Sequence, residues 1–160
     1  DEFRHPFMAN AKPVPIDNLH ITLCFLGNID SLTSNEIELT ADMLFSSLPV
    51  FNRHDLQVTA QEIGLFKKPQ VLYLAFKHFP EAFRNIATNL SSTAFKLGIY
   101  QENRPYIPHL TIARKAKEIP IYQPFELLIQ LSSFSLYESL STKNGIKYQP
   151  LRTWELSATD

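Results

Sequence analysis

Cysteine is almost absent from this chain: 160 residues carry one, Cys24, so no internal disulfide can staple the fold, and packing must hold it together. Within the apolar run Leu23-Cys24-Phe25-Leu26 that lone thiol reads as a buried small residue rather than a reactive one, and a reducing compartment is the simplest setting. Long apolar runs are missing too. No stretch approaches the roughly 18 residues of a membrane-spanning helix, and no signal-peptide pattern opens the chain, so the reading is a cytoplasmic protein with no membrane partner. Excess charge is the third absence. Fifteen Lys and Arg against 16 Asp and Glu leave a net charge of −1, which argues against broad binding of long nucleic acid and leaves room for a small or terminal anion. The basic residues are partly local, Lys67 and Lys68 in one group and Arg114, Lys115 and Lys117 in another, and such groups are ordinarily solvated surface.

What the chain does have is enough apolar content, 44%, for one compact domain over residues 1–160 or two small lobes sharing an interface. Pro6, Pro13 and Pro15 predict an irregular run from Phe3 to Pro15, followed by a strand over Leu19–Leu26 that Gly27-Asn28 ends. Thr33-Ser34-Asn35-Glu36 has the form of a capping box, opening a helix with Ile37, Ala41, Leu44 and Leu48 on one face and Pro49 as its stop. Leu56, Val58 and Ala60 alternate as in a half-buried strand, Gly64 to Pro69 reads as a loop, and Val71 to Phe76 as a more continuous strand. A second helix follows Pro80, with Phe83, Ile86, Ala87, Leu90, Ala94 and Leu97 in helical spacing and Gly98 at its end. Beyond the strand at residues 109–112, Phe134 to Leu140 alternates. Asn144-Gly145 is a two-residue hairpin signal leading into Ile146-Lys147-Tyr148, and Leu151 to Leu156 reads as a last strand. This order predicts an α+β fold with mainly antiparallel sheets and outer helices. A weak repeat of helix and His-x-Thr strand predicts two pseudo-symmetric lobes with a central cleft.

Two triplets carry the chemistry, His20-Ile21-Thr22 and His109-Leu110-Thr111. In a strand the His and the Thr two positions on share a face, while Ile21, Leu23, Leu110 and Ile112 turn to the core. One such triplet would ordinarily be packing, but with 5 His and 10 Thr in the chain two coincidences have a roughly one-in-twenty-five chance. Two imidazoles and two hydroxyls facing one cleft make a kit for cleaving a phosphoester, since imidazole, with an ordinary pKa of about 6.5, can act as base or acid. His5, His54 and His78 lack a Thr partner and read as surface or loop residues. Zinc commonly takes three or four ligands, and neither triplet offers a carboxylate or second imidazole at ligand spacing, so no metal and no cofactor is expected.

The segments Asn18-Leu19-His20-Ile21-Thr22-Leu23-Cys24-Phe25-Leu26-Gly27, Arg104-Pro105-Tyr106-Ile107-Pro108-His109-Leu110-Thr111-Ile112-Ala113-Arg114 and Leu136-Tyr137-Glu138-Ser139 resemble the 2H phosphoesterase superfamily. Gly64-Leu65-Phe66 with Pro69-Gln70-Val71-Leu72-Tyr73 narrows the resemblance to the bacterial RNA 2′,3′-cyclic phosphodiesterase branch, often labelled 2′-5′ RNA ligases. The resemblance runs from about Pro15 to the C-terminus. It implies a bilobal fold, hydrolysis of a 2′,3′-cyclic phosphate on RNA ends or nucleotides to a 2′-phosphate, and no metal. His109 is implied as general base and His20 as general acid, an order the sequence by itself leaves open. Thr22 and Thr111 would donate to phosphate oxygens, and Arg114 would bind phosphate through two parallel hydrogen bonds. Phe66 or Tyr106 could stack on a base, whereas Tyr137 reads as structural. Members of that branch begin with a further strand and helix, so the resemblance implies that these are missing here. A bared sheet edge would then invite strand exchange in a chain otherwise expected to be a monomer without an obligatory protein partner. Two other functions use the same residues: a nucleotide or RNA sensor that binds without turnover, and 2′-5′ RNA ligation.

Overall fold

The computed structural model describes residues 11–143 and 145–159. His5, the irregular run up to residue 10 and Asn144 of the expected hairpin turn lie outside the described residues. In order, the chain forms β1 (Lys12–Pro13), a 3₁₀ turn (Ile16–Asn18), α1 (Ser31–Ser46), β2 (Phe51–Asn52), a second 3₁₀ turn (Arg53–Leu56), β3 (Gln57–Phe66) and β4 (Val71–His78). Then come α2 (Glu81–Lys96), β5 (His109–Arg114), β6 (Leu127–Gln130), β7 (Ser133–Thr142), β8 (Gly145–Glu155) and β9 (Ala158–Thr159). The class is α+β with mainly antiparallel pairing, and the short β2 and β9 pair is parallel. None of the described helices is long and apolar enough to cross a membrane.

The chain divides into two units. The first holds the described residues up to Thr22 together with Val58–His78 and Pro108–Ile129, and the second holds Leu23–Gln57, Phe79–Ile107 and the described residues from Gln130 onward. At the centre of the first lies a five-stranded sheet in the order β1-β5-β4-β3-β6. One of its faces is apolar: Ile63, Leu72, Leu74, Leu110, Ile112 and Ala113 form a buried cluster, and Leu19, Ile21, Tyr122 and Phe125 pack against it. Burying each such aliphatic side chain contributes about 1.5–3 kcal/mol. This face therefore fixes the pairing, because a slip of one residue would turn the whole set outward.

The second unit contains both helices and the β7–β8 hairpin. α1 begins a turn earlier than the expected capping box, because Asp30 is the N-cap and its Oδ1 accepts from the Thr33 amide at 2.8 Å. α2 buries Phe83, Ile86, Ala87, Leu90 and Ala94 at the expected spacing. Its end is a Schellman stop: Gly98 takes φ +84° and donates to the Phe95 carbonyl, while Ile99 donates to that of Ala94. The hairpin, Thr142 opposite Gly145, follows the sequence reading, with Tyr137 edge-on to Tyr148 across it.

Three local readings need correction. The strand expected over Leu19–Leu26 is reduced to an isolated bridge, Ile21 opposite Leu110. Pro15 lacks an amide proton and the 3₁₀ turn after it, closed by Asn18 N–H to Pro15 O at 2.9 Å, interrupts any ladder. The loop expected from Gly64 is shorter: Gly64, Leu65 and Phe66 belong to β3, and the turn occupies residues 67–70. Finally, the sequence repeat suggested one triplet and one helix per lobe, but both triplets lie in the first unit and both helices in the second.

Candidate active site

β5 carries the second triplet. Leu110 and Ile112 are 9% and 7% exposed in the apolar cluster, so His109 and Thr111 between them take the opposite, half-exposed face. The first triplet reaches the same place by a different route. Lys12 and Pro13 pair with Arg114 and Ala113, and Val14 N–H donates to Ile112 O at 2.9 Å. After the 3₁₀ turn Ile21 meets Leu110. The first three of these pairs have residue numbers summing to 126 and the last to 131, so the turn sets the chain back by five residues along β5.

That bridge joins the central residues of the two triplets, and its antiparallel sense has a geometric consequence. His20 takes the register position across from Thr111, and Thr22 the position across from His109. Ile21 and Leu110 both turn to the apolar cluster, so the four polar residues share the other face. The histidines then occupy one diagonal of a quadrilateral and the threonines the other. Diagonal neighbours in such pairs stand about 7–8 Å apart, which leaves room for a phosphate between the rings. His20 Nδ1 lies 2.7 Å from the Asn18 carbonyl oxygen. A carbonyl only accepts, so Nδ1 carries the proton and Nε2 is the nitrogen whose protonation can change.

Arg114 lies an odd number of residues after His109 and in a regular strand would face the core. Instead, Tyr73 pairs with Thr111 but Leu72 pairs with Ala113, so Ile112 is the extra residue of a β-bulge. The bulge reverses the alternation beyond it. Arg114, opposite Val71, thereby joins the face of Thr111 and His109, opposite Tyr73 and Ala75. It is exposed and stands about 10 Å along the strand from Thr111, within reach of a guanidinium on a long stem.

Phe66 also belongs to this face, opposite Val71. Its ring stacks on Tyr73 at 4.2 Å between centroids and meets the edge of His109 at 5.0 Å, while Tyr73 meets His109 at 5.5 Å. Gly64 makes this cluster possible, because a Cβ there would clash with the Cζ–Oη end of the Tyr73 side chain. Tyr73 is the residue of this site that sequence reasoning missed. Its outward phase in β4 and a glycine across from it were the available signals.

Tyr106 lies in the second unit, 6.2 Å from Phe79 between ring centroids, and its backbone carbonyl accepts from Arg84 at 3.4 Å. Burial pushes its hydroxyl pKa up, with the Arg84 charge opposing weakly. Cys24, also in the second unit, is half-buried with Ser91 and Gln101 beside it, and burial raises its thiol above the ordinary range, as fits an unreactive thiol. His54 and His78 are exposed, as expected.

The family model for LigT-like phosphoesterases matches residues 2–73. An RNA 2′,3′-cyclic phosphodiesterase of Escherichia coli (strain K12) is 30% identical over 148 residues, covering 91% of this chain and 80% of the relative. A protein of the same name from Methanocaldococcus jannaschii is 30% identical over 169 residues, covering 96% of this chain and 90% of its own. Crystal structures of E. coli LigT superpose with a TM-score of 0.77 for the complex with 3′-AMP, at 30% identity and covering 92% of this chain and 82% of that one. For the complex with NADP+ the TM-score is 0.80, at 27% identity over 98% and 87% of the two chains. A two-lobed phosphoesterase is thus the class that fold and relatives define. The chain belongs to the LigT-like phosphoesterase family of the 2H superfamily, a family of enzymes.

Proposed function

We propose that this chain hydrolyses the 2′,3′-cyclic phosphate of RNA ends or nucleotides to a 2′-phosphate, using its two His-x-Thr triplets and no metal. The observation that supports this most is the antiparallel bridge between Ile21 and Leu110, with an imidazole and a hydroxyl on either side of it. In the reaction, His109 takes a proton from water as the water oxygen bonds to phosphorus. The bond from phosphorus to the 3′ oxygen breaks, and that oxygen leaves with a proton from His20. Each imidazole ends in the other's starting protonation state, and a proton exchange with solvent resets the pair. The fixed Nδ1–H of His20 suits this role, since it leaves Nε2 to carry the transferred proton. Thr22 and Thr111 donate to the non-bridging oxygens, and Arg114 offsets the charge that grows on them. With two proton carriers and a cation supplied by side chains, the step requires no Lewis acid. Phe66, already stacked on Tyr73, offers a face to a terminal base. Tyr106, the other aromatic that the sequence offers for this role, packs on Phe79 within the second unit.

Incubation with a nucleoside 2′,3′-cyclic phosphate in excess EDTA, with the product identified by phosphorus NMR, tests the proposal. A 2′-monophosphate and a bell-shaped pH profile are expected. Tight binding without product would make the chain a sensor, joining of RNA ends would make it a ligase, and a rate that returns only with added zinc would end the metal-free mechanism.

A further inference from the structure

The two imidazoles of the candidate site are held by different means. His20 is aimed from its own loop, by the hydrogen bond between its Nδ1 and the Asn18 carbonyl at 2.7 Å. His109 meets two rings that arrive from neighbouring strands, Phe66 of β3 at 5.0 Å and Tyr73 of β4 at 5.5 Å between centroids, with planes at 82° and 69° to its own. Those two rings stack on each other at 4.2 Å and 21°. Were His109 on top of either ring, its distance to the other would approach the sum of the two spacings. The imidazole therefore stands beside the stack, upright against its edges. The register explains how three rings fit on one face of a sheet. Ala75 is the residue opposite His109 on β4, and Gly64 is opposite Tyr73 on β3. Each large ring thus has a neighbour with a methyl group or no side chain at all, and the far end of Tyr73 lies where a Cβ of residue 64 would be.

The last torsion of a histidine, to an sp² ring, is soft and roughly two-fold. A half-exposed imidazole on an open sheet face would swing about it, whereas proton transfer needs the nitrogen within hydrogen-bond reach and aimed to within about 10–20°. A ring standing against the side of a stacked pair cannot sweep through that pair. We infer that Tyr73 is a positioning residue for His109: with Phe66 it forms a wall that holds the plane of the imidazole, and Gly64 is what lets the wall stand. The consequence for turnover rests on the proposed function, while the contact itself does not. The hydroxyl of Tyr73 points over Gly64, so the ring carries the role. Phe66 thereby gains a duty that involves no base. A platform for a base and a wall behind an imidazole differ in their kinetics, because the first acts on substrate binding and the second on the chemical step.

Kinetics on a nucleoside 2′,3′-cyclic phosphate and on methyl riboside 2,3-cyclic phosphate, which has no base, test this. Tyr73→Leu should lower kcat roughly tenfold on both substrates and leave KM unchanged, and Tyr73→Phe, which keeps the ring, should restore kcat. Phe66→Leu should also lower kcat on the base-free substrate. In single-turnover measurements, Tyr73→Leu added to His109→Ala should cost nothing further, while added to His20→Ala it should cost the same roughly tenfold. A loss confined to KM, or one that persists in full without the His109 imidazole, would overturn the proposal and leave Tyr73 a packing or base-binding residue. NMR of the free protein with ¹³C-labelled histidine reads the wall without any turnover. Tyr73→Leu should move the ring signals of His109 and leave those of His20 in place. That result supports the wall even if no cyclic phosphate is hydrolysed, and unmoved His109 signals overturn it whatever the kinetics show.

Discussion

The two units use irregular backbone for different ends. In the second unit, departures from regular structure mostly close elements: Gly98 stops α2 and Gly145 turns the hairpin. In the first, the departures fall at candidate site residues. A 3₁₀ turn precedes His20, a bulge separates Thr111 from Arg114, and Lys115, the next residue, takes a left-handed φ of 61°. The second unit's polar residues serve packing. Arg152 bonds Glu38 and Asp42, the Trp154 indole N–H donates to Asp42 at 2.8 Å, and the Trp154 ring stacks on Phe134 at 5.1 Å, which together tie α1 to the hairpin. A sheet with one apolar face can spend the other on chemistry, while a helix pair and a hairpin consume their side chains in holding together.

Substitutions in the two units should separate these roles. The largest effect is expected for His20→Ala and His109→Ala, each losing on the order of 10²- to 10⁴-fold in turnover with an unchanged melting temperature. An unchanged rate in either variant would remove that imidazole from the reaction. Thr111→Val and Arg114→Ala come next. Each deletes a hydrogen bond to a charged group, about 1.5–3 kcal/mol, and should slow turnover roughly ten- to hundredfold, in kcat more than in KM. Gly64→Val would displace the Tyr73 ring and, with it, the support of His109. A roughly tenfold loss is expected, short of the hundredfold that a 1 Å misplacement can cost. Tyr73→Leu should reproduce that loss and Tyr73→Phe should not.

The smallest effects belong to the second unit. Trp154→Phe should lower the melting temperature by about 2–4 °C and leave turnover alone, and a loss of activity there would erase the contrast. Acid should act on the same contact. Asp42's carboxyl is held below the usual range, first by the Trp154 hydrogen bond and then by Arg152. Its contribution to stability is thus present above the usual Asp pKa of about 3.9 and lost as pH falls through the lower folded value. Asp42→Asn should reduce the change in melting temperature between pH 7 and pH 3, as read by circular dichroism.

What could be read from the sequence follows from the range of the forces involved. Helix faces, the stop at Gly98 and the β5 alternation of His109, Leu110, Thr111 and Ile112 are set by neighbours within a few residues, and their patterns are written locally. Choosing His20, Thr22, His109 and Thr111 also needed only local spacing. The strand expected over Leu19–Leu26 failed because pairing there depends on where β5 lies after the turn at Ile16–Asn18, a long-range fact. The face of Arg114 and the contact between Gly64 and Tyr73 depend on bulge and register in the same way. The odd spacing from His109 to Arg114 on one face is the mark of the bulge.

The 3₁₀ turn before His20 has a further implication for how such a chain can change. Since neighbouring strand positions face opposite ways, deleting one residue between Val14 and His20 would turn the imidazole into the oily layer, unless the loop itself rearranged. Removing two would preserve its outward aim and slide it one rung along its partner, away from the opposing hydroxyl. Loop length here behaves like the setting of a vernier. Over evolutionary time this short segment should accept exchanges of side chain far more readily than insertions or deletions, although it lies on the surface, where length variation is ordinarily tolerated.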